Sequence, residues 1–311
     1  MILLIADIHL KLGQKNVPKE WAINRYNLFF DKINELENQV STIVIPGDIF
    51  DRLPTLEELN LFFKFIADRK TKTIISTGNH EAITKKESFF KYIKDVSESL
   101  NKNVEIVLEP KDFGSFYVVP YEYIKSKDFW DSLEIKPIFT HVRGEIPPLV
   151  DPEIPLEWLE RFPVVFAGDL HSHANTQRNI VYPGSPMTTS FHRTESFNGC
   201  ILINSDWSYK WVDLKLPQLI RKTVKSEEEM IKTEFDHTIY EIEGNIKDLS
   251  NINSELLDKK IVTKKSDVAL VLDPSMSIEQ ELREYLLYIQ ELTDEQTFNV
   301  IRVFNEHNKI K

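Results

Sequence analysis

Ile43-Val-Ile-Pro-Gly-Asp-Ile-Phe-Asp51 is the stretch that decides how this chain is organised. Its first residues are mostly apolar and β-branched, and they predict a short buried strand that the glycine ends. Asp48 therefore stands at the carboxyl end of a strand, where open α/β sheets gather their ligands. The carboxylates of Asp48 and Asp51 indicate a hard-metal site, or else a cap on the following helix. Matching ligands at the ends of other strands would favour a metal site over a helix cap.

The composition indicates a globular chain with a sizeable core. A length of 311 residues predicts one large domain and a smaller one, and 41% hydrophobic with 28% charged residues excludes a disordered chain. No apolar run approaches the ~18 residues that span a bilayer, and the N-terminus is predicted to be a strand that meets Asp7. The single cysteine, Cys200, lies in an apolar run and has no partner for a disulfide within the chain. We therefore expect a cytoplasmic protein with no membrane partner.

The net charge of −11 bears on the class of function. A passive nucleic-acid coat needs clustered Lys and Arg to neutralise phosphates, so this charge argues against one. It does not exclude an enzyme that acts on nucleic acid, because carboxylates can be metal ligands and a partner can supply a basic surface.

The order of the elements predicts a layered α/β sandwich, since strands alternate with helices early and follow one another later. We expect strands at 2–6, 42–46, 72–76, 104–108, 115–119, 136–140, 163–167, 179–182, 199–204 and 208–213. Helices are expected at 19–39, 56–68, 86–99 and 154–161, and Thr55 with Glu58 predicts a capping box at the start of the second. The first sheet pairs should be mostly parallel and the later ones more antiparallel.

Pro217 marks the expected boundary to a smaller α/β block. There we predict strands at 219–224, 237–242 and 267–272, with helical segments at 226–234 and 248–258. A helical tail from Ser277 onward divides at Thr293-Asp294, with Asp294 as a candidate helix cap. The predicted domains are 1–216, 217–275 and 276–311.

Five predicted strands end in residue types that bind metals. They supply Asp7-x-His9, Gly47-Asp48, Gly78-Asn79-His80-Glu81, His141 and Gly168-Asp169-Leu170-His171. In an extended segment residues i and i+2 point the same way, so each Asp-x-His pair can grip one ion. Carboxylate, imidazole and amide ligands without thiolates fit Mn²⁺, Fe²⁺ or Zn²⁺ better than Ca²⁺ or a structural zinc cage. So many ligands exceed the needs of one ion and fit two ions roughly 3.5–4 Å apart that clamp a phosphoryl displacement.

These motifs resemble those of the calcineurin-like metallophosphoesterases. The closer match is the SbcD type, the nuclease subunit of a double-strand-break repair complex, which includes phage recombination endonuclease small subunits. The resemblance rests on Ile5-Ala-Asp-Ile-His9, Gly47-Asp-Ile-Phe-Asp51, Gly78-Asn-His-Glu81 and the Gly-Ser-Pro segment Val181-Tyr-Pro-Gly-Ser-Pro186 with Ser190-Phe191. It covers about residues 1–215. It implies a four-layer α-β-β-α sandwich, a smaller α/β capping domain that faces DNA, and C-terminal helices.

The resemblance also implies a role for each ligand. Asp7, His9 and His171 would hold one ion. Asn79, His141 and Asp169 would hold the second, and Asp48 would bridge both. His80 would be no ligand; it would face the scissile phosphate and protonate the leaving oxygen. Asp169 departs from the family, which has His there, and a carboxylate is expected to favour Mn²⁺ or Mg²⁺ at the second site.

We therefore expect a two-metal DNA nuclease subunit, with Mn²⁺ as the first choice of cofactor and Mg²⁺ as the second. The resemblance implies 3′→5′ exonuclease activity on duplex ends and endonuclease activity on single strands. The implied partners are DNA and an SbcC-type SMC-like ATPase, with a homodimer inside a heterotetramer and the apolar C-terminal tail docked on the ATPase. If the chain is phage-encoded, which its size favours, its compartment is the host cytoplasm. The alternatives are a phosphomonoesterase or cyclic-nucleotide phosphodiesterase of the same superfamily, and a non-catalytic scaffold for the ATPase.

Several further residues have two interpretations each. Lys11, Lys15, Arg143, Arg178 and Arg193 could contact DNA phosphates or lie solvated on loops. Of the two acids next to the ligands, Asp51 is expected to orient its neighbours or cap a helix, and Glu81 is expected to start a helix, rather than to bind an ion. His173 and His192 are expected on the surface or facing the substrate.

Overall fold

The computed structural model of the chain describes residues 1–85, 87–244, 249, 252–262, 276–290 and 292–308. The chain divides into two compact units. The first unit comprises Met1–Lys222 and Lys232–Ile239, and the second comprises Thr223–Ile231 and Tyr240–Lys311. The division into three domains with the bounds predicted above stays a prediction.

Strands and helices alternate through the first part of the chain. The strands are β1 (Ile2–Leu4), β2 (Thr42–Pro46), β3 (Lys72–Ser76), β4 (Ala82–Thr84), β5 (Glu87–Ser88), β6 (Val104–Val107), β7 (Lys111–Asp112), β8 (Tyr117–Val119), β9 (Ile138–His141), β10 (Val165–Gly168), β11 (Ile180–Val181), β12 (Gly199–Ile203) and β13 (Tyr209–Asp213). The helices are α1 (Lys19–Glu37), α2 (Leu56–Ala67), α3 (Phe90–Leu100) and α4 (Lys127–Ser132). The helix expected at 154–161 is a single 3-10 turn at Leu156–Trp158.

Two large sheets organise the first unit. The six-stranded sheet has the order β13-β12-β1-β2-β3-β6, and β1, β2, β3 and β6 in it are parallel. Strands β12 and β13 pair antiparallel, as expected for the later part of the chain. The five-stranded sheet has the order β11-β10-β9-β8-β7 and is parallel except at β7.

Side-chain alternation along the strands builds four layers. On β1, Leu3 packs with α1 and α2, whereas Leu4 packs between the two sheets. The same alternation on the other central strands gives one core beneath the helices and one core between the sheets. The outer face of the five-stranded sheet packs on α4 and nearby turns, with Trp130 fully buried there. The predicted four-layer α-β-β-α sandwich is confirmed.

Helix α2 shows how local sequence fixes an element beside the site. Its predicted capping box is present: the Thr55 hydroxyl accepts from the Glu58 N–H at 3.3 Å, and the Thr55 N–H donates to the Glu58 carboxylate at 2.8 Å. Glu58 is buried and also accepts from the Leu12 N–H at 2.8 Å. One side chain thus holds the start of α2 and the loop that follows Asp7-x-His9.

The later part of the chain departs further from expectation. Strands β14 (Leu219–Val224), β15 (His237–Gly244) and β16 (Leu257–Val262) form a three-stranded sheet. The helix expected at 226–234 is wrong: only a 3-10 turn at Glu227–Glu229 forms, because the segment lacks an apolar stripe to bury.

The helix expected at 248–258 is also wrong for residues 252–258. Ser254 bonds its own turn there, its hydroxyl accepting from the Leu256 N–H at 3.2 Å, and β16 follows. The strand expected at 267–272 lies outside the described residues.

Two helices close the chain, as predicted. They are α5 (Ile278–Glu284), which continues as a π turn at Tyr285–Ile289, and α6 (Asp294–Asn308). Thr293 caps α6 rather than Asp294, since its hydroxyl accepts from the Gln296 N–H at 3.3 Å. Within the described ranges, every helix is too short or too polar to cross a bilayer.

Candidate metal centre

The carboxyl ends of β1, β2 and β3 in one sheet meet those of β9 and β10 in the other. Four of the sequence-predicted ligands leave their strands with left-handed backbone: φ is 56° at Asp7, 50° at His9, 53° at Asp48 and 107° at Asp169. Such a conformation costs a non-glycine residue about 1–3 kcal/mol and persists where the surroundings enforce it, typically at functional sites. The turns direct these side chains toward a common point between the sheet edges.

Asp7, His9 and His171 form the first cluster, with one ligand atom of each within 4.8 Å of the others. The Nε2 atoms of His9 and His171 face each other at 3.0 Å. Two imidazole nitrogens in this arrangement suit a shared proton or a shared cation. The Nδ1 atom of His9 is buried without a hydrogen-bond partner, and the Asp51 Oδ1 atom lies 3.7 Å away.

Asp48 lies between this cluster and a second one. It forms a triad with Asp7 and His141 and another with His9 and His80, each within 4.8 Å. Its Oδ2 atom is 3.7 Å from His9 Nε2 and 3.4 Å from His141 Nε2. Asn79 completes this side, with its Oδ1 atom 2.9 Å from His141 Nε2.

The protonation of these groups follows from burial and charge. Burial raises the pKa of the Asp7 carboxyl to about 8 and lowers the pKa of the His9 imidazole to about 3. Burial also opposes ionisation of Asp48, but the nearby His141 outweighs it and the pKa of Asp48 lies below its usual range. Burial disfavours the charged form of His141 too, yet the negative charge of Asp48 raises its pKa to about 10.

These shifts provide a test of whether the residues fit a metal. The buried carboxylates require positive charge, which they obtain by holding protons on His141 and Asp7. A divalent cation satisfies the same requirement, and binding would release those protons. The facing Nε2 atoms of His9 and His171 also agree with a cation held by the ring nitrogens. The residues fit a divalent metal centre.

Glu81 supports the backbone around Asp48, a role that the sequence did not suggest. It is 1% exposed and accepts three backbone N–H groups, from Asp48 at 3.1 Å, Phe50 at 2.9 Å and Gly78 at 2.9 Å. The expectation that it starts a helix is wrong, because the β4–β5 hairpin follows instead. The sequence signal was an acid beside Gly-Asn-His with no apolar helical stripe directly after it.

Gly78 allows β2 and β3 to close on each other at the site. A Cβ atom there would lie 2.1 Å from Asp48 Oδ1 and 2.5 Å from the Asp48 backbone nitrogen. No side chain fits so short a gap. The glycine is therefore required for Asp48 to sit against the end of β3.

The Gly-Ser-Pro segment supports ligands from both sheets. The Ser185 hydroxyl lies 2.7 Å from the Asp7 carbonyl oxygen, and the Ser185 N–H donates to the His171 carbonyl oxygen at 3.0 Å. The segment thus ties the backbones of two ligand loops that are far apart in sequence.

His80 lies at the mouth of the cluster with its side chain 36% exposed. Its Nδ1 atom is 2.5 Å from the Asp51 carbonyl oxygen, which can only accept, so Nδ1 carries a proton. Its Nε2 atom is 3.8 Å from Asp48 Oδ2. The Asp51 carboxylate lies 2.7 Å from Lys11 Nζ and 3.7 Å from His9 Nδ1, and its supporting role stays a prediction.

Asp169 lies at the edge of the centre, outside the three triads. Its Oδ1 atom is 3.8 Å from His141 Nε2, and its N–H donates to the Asp7 carboxylate at 2.9 Å. Both of its oxygens accept from Arg143, through Nε at 3.0 Å and Nη2 at 3.2 Å.

The other residues that could contact DNA are placed as follows. Arg178 pairs with Glu157 at 2.9 Å and with Glu160 at 2.8 Å. Lys15 and Arg193 are exposed. His192 is exposed, and His173 stacks on Trp211 at 5.9 Å, so neither joins the three triads found among the described residues.

Comparison with known proteins agrees with the geometry. A model of the calcineurin-like phosphoesterase family matches residues 1–173. The probable exonuclease subunit 1 of Escherichia phage T5 is 41% identical over 300 residues, 91% of this chain and 92% of that protein. The putative phosphoesterase 244L of Invertebrate iridescent virus 6 is 27% identical over 222 residues, 65% of this chain and 75% of that protein. A solved structure from Thermus thermophilus has a TM-score of 0.42 at 12% identity, over 69% of this chain and 98% of that one.

The matched span contains the strand ends that supply Asp7, Asp48, His141 and His171. The resemblance drawn from the motifs is therefore confirmed, and this chain belongs to the calcineurin-like phosphoesterase family.

Proposed function

We propose that this chain is the nuclease subunit of a DNA end-processing and recombination complex. It would remove nucleotides 3′→5′ from duplex ends and cut single strands. The observation that carries the proposal is the meeting of ligand-bearing strand ends from both sheets around Asp48. The phage T5 relative is named as an exonuclease subunit, which supports DNA as the substrate.

The centre would hold two divalent ions, with Mn²⁺ the expected metal and Mg²⁺ the second choice. Asp7, His9 and His171 would hold one ion. Asn79, His141 and Asp169 would hold the other, and Asp48 would serve both. When bound, the ions supply Lewis acidity and a nucleophile at neutral pH for phosphoester hydrolysis.

His80 is the proposed catalytic residue. Because the Asp51 carbonyl keeps the proton on Nδ1, the Nε2 atom is the one that would exchange a proton with the substrate. It lies 3.8 Å from Asp48 Oδ2 on a side chain that is 36% exposed, and the leaving ribose oxygen would lie beside it. A protonated Nε2 would donate to that oxygen as general acid.

An SbcC-type ATPase is the proposed partner, with the nuclease as a homodimer inside a heterotetramer. The word "subunit" in the name of the phage relative supports a complex of more than one chain. The C-terminal helices expose apolar side chains, with Ile278 71% and Phe298 66% exposed, which suits docking on a partner helix. Lys11, Lys15, Arg178 and Arg193 remain proposed phosphate contacts, and the cytoplasm remains the expected compartment.

The test is digestion of end-labelled linear duplex DNA in Mn²⁺, with and without the ATPase. We expect mononucleotide release in at least one condition, and none for an Asp48→Asn variant. Hydrolysis of nitrophenyl phosphate with no DNA degradation in either condition would contradict a nuclease and favour a small-substrate phosphoesterase.

A further inference from the structure

Arg143 and Asp169 leave neighbouring strands at the same level. Strands β9 and β10 are parallel, with His141 opposite Gly168, so Asp169 and Arg143 lie just beyond the end of the pairing. The Val142 N–H donates to the Gly168 carbonyl oxygen at 3.2 Å and keeps the two chains together past that point. The pairing of the two backbones therefore places Arg143 close to Asp169.

The contact between them has the bidentate form that arginine makes with carboxylates. Nε and Nη2 of Arg143 reach the two oxygens of Asp169 at 3.0 and 3.2 Å. This fork fixes the carboxylate plane as well as its position. The Arg143 carbonyl oxygen in turn accepts the Glu153 N–H at 3.2 Å, which anchors the arginine backbone.

The contact between Arg143 and Asp169 offsets negative charge at the centre. Asp7, Asp48 and Asp169 bring three carboxylates to one small, largely buried region, and the side chain of Asp169 is only 6% exposed. A neutral ligand at residue 169 would add no negative charge, whereas a carboxylate does. Arg143 offsets that charge, yet a carboxylate oxygen has lone pairs for both a donor and an ion.

We propose, on the basis of the proposed two-metal function, that Arg143 is a positioning residue of the metal centre. It orients Asp169 as a ligand of the second ion and offsets its charge, and it does so in place of the DNA contact that the sequence suggested. Asp169 occupies its Nε–Nη2 edge, one of the two forked edges with which a guanidinium can bind a phosphate. Lysine could offset the charge but could not fix the carboxylate plane, because an ammonium group makes no fork.

The proposal is tested on the full chain by Mn²⁺ binding in the absence of DNA, measured by calorimetry. Partners that orient metal ligands typically contribute 10- to 100-fold to metal affinity, so we expect Arg143→Ala to weaken one of the two binding steps by about 10-fold. Arg143→Lys should recover only part of that loss. Asp169→Asn should weaken the same step, and Arg143→Ala added to it should cause no further weakening, because the arginine acts through Asp169.

Arg178→Ala is the matched control for metal binding, since Arg178 also pairs with carboxylates, those of Glu157 and Glu160, but with none of the proposed ligands. It should leave both Mn²⁺ steps unchanged, and unfolding temperatures should show that every variant folds. Wild-type Mn²⁺ affinity in Arg143→Ala would overturn the proposal, and a raised KM for DNA in that variant would assign Arg143 to the substrate. Additive losses in the double variant would also overturn it. A wild-type chain that binds no Mn²⁺ at all would instead overturn the proposed function itself.

Discussion

The two sheets contribute to one centre, but they hold their ligands in different ways. At the edge of the six-stranded sheet, the backbone around Asp48 is fixed by buried groups: three N–H groups donate to Glu81, and Gly78 leaves no free space. At the edge of the five-stranded sheet, side chains hold the ligands. Arg143 holds Asp169, and the Thr189 hydroxyl lies 3.1 Å from His171 Nδ1.

The difference separates the fixed part of the centre from its adjustable part. Where a buried carboxylate accepts backbone N–H groups, substitution of that acid is costly, because each lost hydrogen bond leaves a buried N–H unsatisfied. Where a half-exposed side chain orients a ligand, substitution of that side chain can change the metal affinity by a small amount. We therefore expect substitutions at the first edge to remove function and those at the second to adjust metal affinity.

Glu81→Ala should have the largest effect. It leaves three buried N–H groups without an acceptor, each costing about 1–3 kcal/mol, and should lower the free energy of unfolding by at least about 3 kcal/mol. Mn²⁺ binding should be lost with it. Urea unfolding of the metal-free chain measures the change, and Glu87→Ala, which removes only a solvent-screened surface pair with Lys91, should leave the free energy of unfolding nearly unchanged. Equal effects of the two substitutions would remove the distinction between a braced and a surface acid.

His80→Ala should separate reaction from binding at the same edge. General acid catalysis contributes about 10²–10⁴-fold, so kcat on DNA should fall by about 10³-fold while both metals stay bound. Steady-state rates and metal analysis of the purified variant check the two halves of this expectation. Full activity would exclude His80 as the acid, and loss of a metal would make it a ligand.

Gly78→Ala tests how tightly the first edge is packed. The new methyl group would meet the Asp48 carboxylate and must displace it, and a misplacement of about 1 Å in an active site can cost about 10²-fold in rate. Gly13→Ala is the control, because its nearest contact would be Arg52 at an ordinary 3.5 Å. Nuclease assays of the two variants side by side should show a loss of activity only for Gly78→Ala. An active Gly78→Ala would mean that the residues around Gly78 can move to make room for the methyl group.

Thr189→Val should have the smallest effect. If His171 binds an ion through Nε2, its Nδ1–H donates to the Thr189 hydroxyl, and loss of such a partner costs about 10-fold or more in metal affinity. Thr189→Ser keeps the hydroxyl and should keep the affinity. Mn²⁺ titration measures the affinity of both variants. A loss of Mn²⁺ binding in Thr189→Val as complete as that in Glu81→Ala would mean that the two sheet edges do not differ in how they hold the ions.

The candidate ligands that the structure brings together could be predicted from the sequence because each is a local signal. A strand pattern followed by Asp, Asn or His places a polar side chain at a strand end, as at Asp7, Asp48 and His141. Parallel strands then align those ends without further information. The family resemblance added roles that spacing could not supply.

The supporting residues could not be found in this way because their partners are distant in sequence. Glu81 accepts from Phe50, Ser185 meets Asp7, and Arg143 meets Asp169 across two strands. The segment 226–234 forms no helix for a different reason, since its mostly polar residues leave no apolar face to bury against the rest of the chain. Tertiary contacts decide both kinds of case.

The most direct test of the central claim is the Mn²⁺ content of the wild-type chain and of Asp48→Asn after equilibrium dialysis. If Asp48 serves both ions, the wild-type chain should hold two Mn²⁺ and the variant should lose both together. A variant that keeps one ion at wild-type affinity would contradict the bridge, and one that keeps both would contradict the whole centre as described.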